Sequence, residues 1–95
     1  MGAVSHADVE ARVKRLLVSE LNVRPALVDT ATAATALLRE GIGLDSVEAV
    51  TLACAVEVEF SIRITDDDMT ADLFQDLGSF SNYVRGALER GALAR

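Results

Sequence analysis

Tryptophan is absent and aromatic residues make up only 4% of the 95-residue chain, which argues against a β-sandwich. The abundance of alanine, leucine and valine points instead to closely packed helices. The single cysteine, Cys54, allows no internal disulfide and no cysteine-based zinc site, and suits a reducing cytosol. The single histidine, His6, lies near a terminus, and no Gly-x-Ser-x-Gly turn occurs, so the parts of a serine hydrolase are missing. Nine basic residues stand against fifteen acidic ones, and the formal net charge of −6 opposes non-specific binding to nucleic acid or to an anionic membrane surface. No run approaches the roughly 18 apolar residues that span a bilayer, and the start of the chain lacks the basic flank and apolar core of a signal peptide. The expectation is one small all-α domain over residues 1–95, ordered from about 5 to 89 with a frayed tail at 91–95. It is expected to be soluble, cytoplasmic and monomeric, with a single modest core.

The charge is unevenly placed. Between Glu40 and Asp76 stand ten acids and one base, Arg63, while the rest of the chain has five acids and eight bases. Basic partners are therefore expected at the middle of the chain. The hydrophobic pattern divides the sequence into four helical stretches. Val9, Val13, Leu16, Leu17 and Leu21 share one face of a first helix over Ser5–Leu21, with Ser5 as its N-cap. Residues 22–43 hold Pro25 and two glycines and read as a long loop that folds back through Leu27, Val28, Leu37 and Leu38. A second helix over Ser46–Phe60 turns Ala49, Leu52, Ala53, Val56 and Phe60 towards the core. Val47, Val50, Cys54 and Val58 form a separate apolar sector roughly opposite, so this helix either is buried twice or docks a partner. A short third helix is expected at Ala71–Asp76, held by Leu73, Phe74 and Leu77. A last helix, capped by Ser79, presents Phe80, Tyr83, Val84, Ala87 and Leu88 as far as about Glu89.

Ser46 follows Gly41-Ile42-Gly43-Leu44-Asp45 at a loop-to-helix boundary. A serine in the first turn of a helix is exposed, and the uncommitted N–H groups and positive dipole end there favour an added phosphodiester. Gly41 and Gly43 give the loop the freedom to bring Ser46 to the surface while Leu44 points inward as an anchor. The plainer reading makes Ser46 an ordinary N-cap.

From Gly43 to Ile64 the sequence resembles the acyl carrier protein family, including peptidyl carriers, and the helix order resembles it over nearly the whole chain. Leu44, Asp45 and Ser46 match the attachment motif, and Glu57, Glu59, Phe60, Ile62 and Ile64 match the end of the second helix and its exit. The resemblance implies a four-helix bundle with a long first loop and a short third helix. It also implies covalent 4′-phosphopantetheine, delivered to Ser46 from coenzyme A by a phosphopantetheinyl transferase. The chain itself is then a non-catalytic carrier of acyl thioesters in fatty-acid, polyketide or related biosynthesis. The implied partners are that transferase, an acyl- or aminoacyl-loading enzyme, and a ketosynthase or other thioester-processing enzyme with a basic docking patch. The implied recognition set is Leu44, Asp45, Val47, Glu48, Val50 and Cys54, with Asp45 and Glu48 as steering charges.

Thr51 and Val58 stand where the fatty-acid type is often acidic, Thr65 where proline is common, and the Met69–Asp76 segment is slightly longer. These departures favour a free-standing carrier of a specialised pathway. The alternatives are an aminoacyl or peptidyl carrier and, in another class, an unmodified acidic helical adaptor. Cys54 reads as a small apolar residue rather than a reactive thiol. Asp66-Asp67-Asp68 lacks the spacing of a calcium loop, so no metal site is expected. The Val47–Val58 strip admits a second reading, as a surface covered by the long loop or the short third helix.

Overall fold

Ser5 opens the first helix as its position implies, its hydroxyl accepting the Asp8 N–H at 3.1 Å. The computed structural model describes residues 5–93. Helix α1, His6–Ser19, buries Val9, Val13, Leu16 and Leu17, and Leu21 packs half-buried just beyond its end. This i, i+4, i+7, i+8 stripe faces α3 (Ser46–Phe60) and α4 (Leu77–Leu93), and the core lies between the three.

The long loop contains a helix that periodicity does not reveal. Arg24-Pro25 starts α2, Pro25–Asp29, with proline in the first turn, where its missing N–H breaks no helical bond. Its Val28 is buried, whereas Leu27, expected to fold back with it, is 40% exposed. Further on, Leu37 is fully buried and Leu38 half-buried, as the loop's apolar spacing implies. The loop is also tied to the start of α4: the Leu77 N–H donates to Thr35 O at 2.9 Å and the Gly78 N–H to Ala33 O at 2.8 Å.

Helix α3 has the expected bounds and the expected buried face, Ala49, Leu52, Ala53, Val56 and Phe60. It ends at Ser61, whose left-handed conformation (φ 54°) closes the C-terminus. Glu57 fixes the exit, its Oε2 accepting the Ile64 N–H at 2.7 Å. Arg12 of α1 braces the same end of α3, pairing with Glu59 at 2.8 Å while its guanidinium lies 4.2 Å above the Phe60 ring.

Two expectations after α3 are corrected. Residues 71–76 are not α-helical. Asp66–Asp68 forms a 3-10 turn, and the chain continues in single turns whose N–H groups reach back three residues, Leu73 to Thr70 and Phe74 to Ala71 at 3.1 Å each. The path buries Leu73 and Phe74, the latter ring 5.5 Å from Phe80. The cap of α4 is Asp76 rather than Ser79: the Ser79 N–H donates to Asp76 Oδ1 at 2.7 Å. Starting there places fully buried Leu77 in the first turn.

Helix α4 continues past Glu89 to Leu93, so the part of the expected frayed tail at 91–93 is helical, and residues 94–95 lie outside the described residues. The fold is all-α with four helices. Among the described residues there is no strand, only an isolated parallel bridge between Leu38 and Leu44. No helix there is long and apolar enough to cross a membrane.

Candidate functional site

The N-terminus of α3 is built by a loop under two different backbone constraints. A Cβ on Gly41 would come within 2.0 Å of the Ala36 carbonyl oxygen, so Gly41 is required by close approach. Gly43 has φ +91° with nothing within 4 Å of a Cβ, so it is required by conformation. Between and beyond them Ile42 and Leu44 are buried, Leu44 to 2% exposure. The Leu44 N–H donates to Leu37 O at 3.0 Å, completing the bridge that fastens the loop before α3 begins.

Leu44 is thus the inward anchor that the loop needs. Its side chain is not on the surface, which removes it from the partner-facing set in which the family resemblance places it.

Asp45, not Ser46, is the N-cap. Its Oδ1 accepts the Glu48 N–H at 2.8 Å, and Glu48 Oε1 accepts the Asp45 N–H at 3.1 Å, a reciprocal capping box. Ser46 therefore occupies the first helical position, exposed, with no side-chain hydrogen bond among the described residues. The plainer reading of Ser46 as the cap is set aside by this geometry. The cap uses the N–H of Glu48 and leaves those of Ser46 and Val47 in the first turn, aligned with the positive end of the helix dipole.

Beside Ser46 lies an open groove of about 520 Å3. Ala49 and Val50 of α3 form one side, Leu38, Arg39 and Gly43 of the loop another, and Met69, Thr70, Ala71 and Phe74 the third. Sequence reasoning missed Arg39 and the Met69–Ala71 wall. They come from segments distant along the chain, and no local pattern marks them.

Down α3 from Ser46, Val47 is 73% exposed, Val50 51% and Val58 82%, and Cys54 is exposed as well. Neither the long loop nor the 66–75 turns cover this strip, which answers the question of a second core face. Thr51 lies beside it, its hydroxyl turned back on Val47 O at 3.1 Å.

Asp45 and Glu48 thus close the N-terminus of α3 beside Ser46, and Val47, Val50 and Cys54 lie along its exposed strip. The acidic run at 66–68 plays a different part, with the Tyr83 hydroxyl donating to Asp68 Oδ2 at 2.6 Å. Among the described residues no group of three or more His, Cys, Asp or Glu could hold a metal ion.

The residues at the helix start fit a covalent phosphopantetheine arm. They offer an exposed hydroxyl free of capping duty, two uncommitted N–H groups and an adjoining groove. A family model described as the phosphopantetheine attachment site matches residues 11–84, a span that contains this whole constellation. In that domain 4′-phosphopantetheine is attached covalently, and the chain belongs to the acyl carrier protein family of phosphopantetheine-binding carrier domains.

Proposed function

We propose that Ser46 is the residue that receives 4′-phosphopantetheine, and that the chain serves as a non-catalytic acyl carrier. The observation that carries the assignment is the capping box. Because Asp45 and Glu48 close the helix end, the Ser46 hydroxyl is exposed and uncommitted at the first position of α3.

In the transfer, Ser46 Oγ forms the new bond to the pantetheine-bearing phosphorus as the P–O–P bridge of coenzyme A breaks, adenosine 3′,5′-bisphosphate leaves, and the hydroxyl proton passes to a base of the transferase. The arm, once attached, supplies a terminal thiol that holds the acyl group as a thioester. The chain's own residues orient that arm and display it. The first-turn N–H groups of Ser46 and Val47 would be available to the phosphate, Leu44 holds the loop, and the groove walls would set where the arm can lie.

The transferase and the thioester-processing enzymes would dock on Asp45, Glu48 and the Val47, Val50 and Cys54 strip, their basic patches matched to the acidic stretch from Glu40 to Asp76. The neutral Thr51 and Val58, one bonded to its own helix backbone and the other exposed, favour partners that read an apolar strip edged by few charges. That supports a specialised pathway over housekeeping fatty-acid synthesis. Offering the modified protein to a malonyl-loading and to an aminoacyl-loading enzyme tests the cargo class. Acylation by the first alone is the expected result, and loading by the second alone overturns the acyl assignment while leaving the carrier in place.

A further inference from the structure

Arg39 stands beside Ser46 with no side-chain partner among the described residues. The isolated parallel bridge joins Leu38 to Leu44, the residues directly before Arg39 and Asp45, and Arg39, Asp45 and Ser46 line the same groove. The Arg39 side chain is exposed, lines the groove that Ser46 lines, and makes no ion pair or side-chain hydrogen bond among the described residues.

The two carboxylates nearest in sequence to Ser46, Asp45 and Glu48, are each engaged with a backbone N–H of the capping box. The rest of the groove wall is largely apolar, with Ala49, Val50, Met69 and Phe74. From Glu40 to Asp76 the chain has a single base, Arg63, so a new negative charge at Ser46 enters an already negative field. A guanidinium on the groove rim is the complement such a charge lacks, and its planar fork suits two phosphate oxygens at once.

We infer that Arg39 is a positioning residue that pairs with the phosphodiester on modified Ser46 and holds the base of the arm over the groove. The inference rests on the assignment of Ser46 as the acceptor. Wild type, Arg39→Gln and Arg39→Lys are modified with coenzyme A and a promiscuous transferase, checked by intact mass, and followed by phosphorus NMR while salt is raised from about 20 to about 500 mM, which spans strong to weak screening.

The wild-type resonance is expected to move with salt, Arg39→Gln to sit at the high-salt position throughout, and Arg39→Lys to recover part of the response. Modification of all three proteins with one common salt profile overturns the role of Arg39 and leaves the carrier reading intact. Failure of the wild type to take up the arm overturns both.

Discussion

Asp45 and Glu48 cap each other across the first turn of α3, each carboxylate accepting the other residue's backbone N–H, at 2.8 and 3.1 Å. The family resemblance casts these acids as steering charges. The structure gives them a prior task, which is to end the helix so that Ser46 is left free.

The two tasks separate by mutation. Asp45→Ala removes the cap and is expected to cost about 1 kcal/mol in urea denaturation, whereas Asp45→Asn keeps an acceptor and stays within about 0.3 kcal/mol of wild type. Asp45→Asn should nonetheless slow association with a basic partner at low salt, an effect that fades as ionic strength rises. Equal stability losses in both variants would show that charge, rather than the capping bond, stabilises this turn.

The two loop glycines should fail differently. Gly41→Ala drives a methyl group into the Ala36 carbonyl, itself held by the Ile42 N–H at 2.8 Å, and is expected to lose about 2 to 3 kcal/mol. Gly43→Ala meets no atoms and suffers only from φ +91°, for about 1 kcal/mol. Thermal melts of the pair check the order, and a larger loss at Gly43 contradicts the account of the loop.

Ser81 is fully buried in α4, and its Oγ has no hydrogen-bond partner. Ser81→Ala removes an unsatisfied hydroxyl and improves helix propensity, so a gain of up to about 1 kcal/mol is expected. A lower melting temperature for this variant would mean that the hydroxyl is satisfied in solution.

Tyr83 holds its proton above the ordinary value of 10.0, first because it is partly desolvated and then because it donates to the Asp68 carboxylate. The folded chain keeps a proton that the unfolded chain releases. The stabilisation is therefore complete below pH 10.0 and is lost as pH climbs from there through the raised value. Tyr83 is the only tyrosine, so tyrosinate absorbance reports it directly. Asp68→Asn should lower its titration midpoint, and Tyr83→Phe should flatten the alkaline decline in melting temperature.

What the sequence made legible depended on the range of the signal. The bounds and buried face of α3 were readable because fifteen residues at a regular spacing outvote local noise. Helix α2, with five residues, carries no period to read, and its proline looked like a loop marker although it also suits a first helical turn. At the start of α4 both Asp76 and Ser79 have capping side chains, and what decides between them is the burial of Leu77, a tertiary fact. The exposed strip on α3 was visible as a second apolar sector, but only the packing of the loop elsewhere shows it uncovered. Arg12 with Glu59, Tyr83 with Asp68, and the Arg39 side of the groove join distant segments and leave no local trace. Asp45-x-x-Glu48 was a capping signature in plain sight, overshadowed by its charge.

The central claim is that Ser46 is the acceptor. Intact mass spectrometry after incubation with coenzyme A and a promiscuous phosphopantetheinyl transferase tests it most directly, with Ser46→Ala run in parallel. One phosphopantetheine is expected on the wild-type chain and none on Ser46→Ala. An unmodified wild type, or an addition that persists in Ser46→Ala, would contradict it.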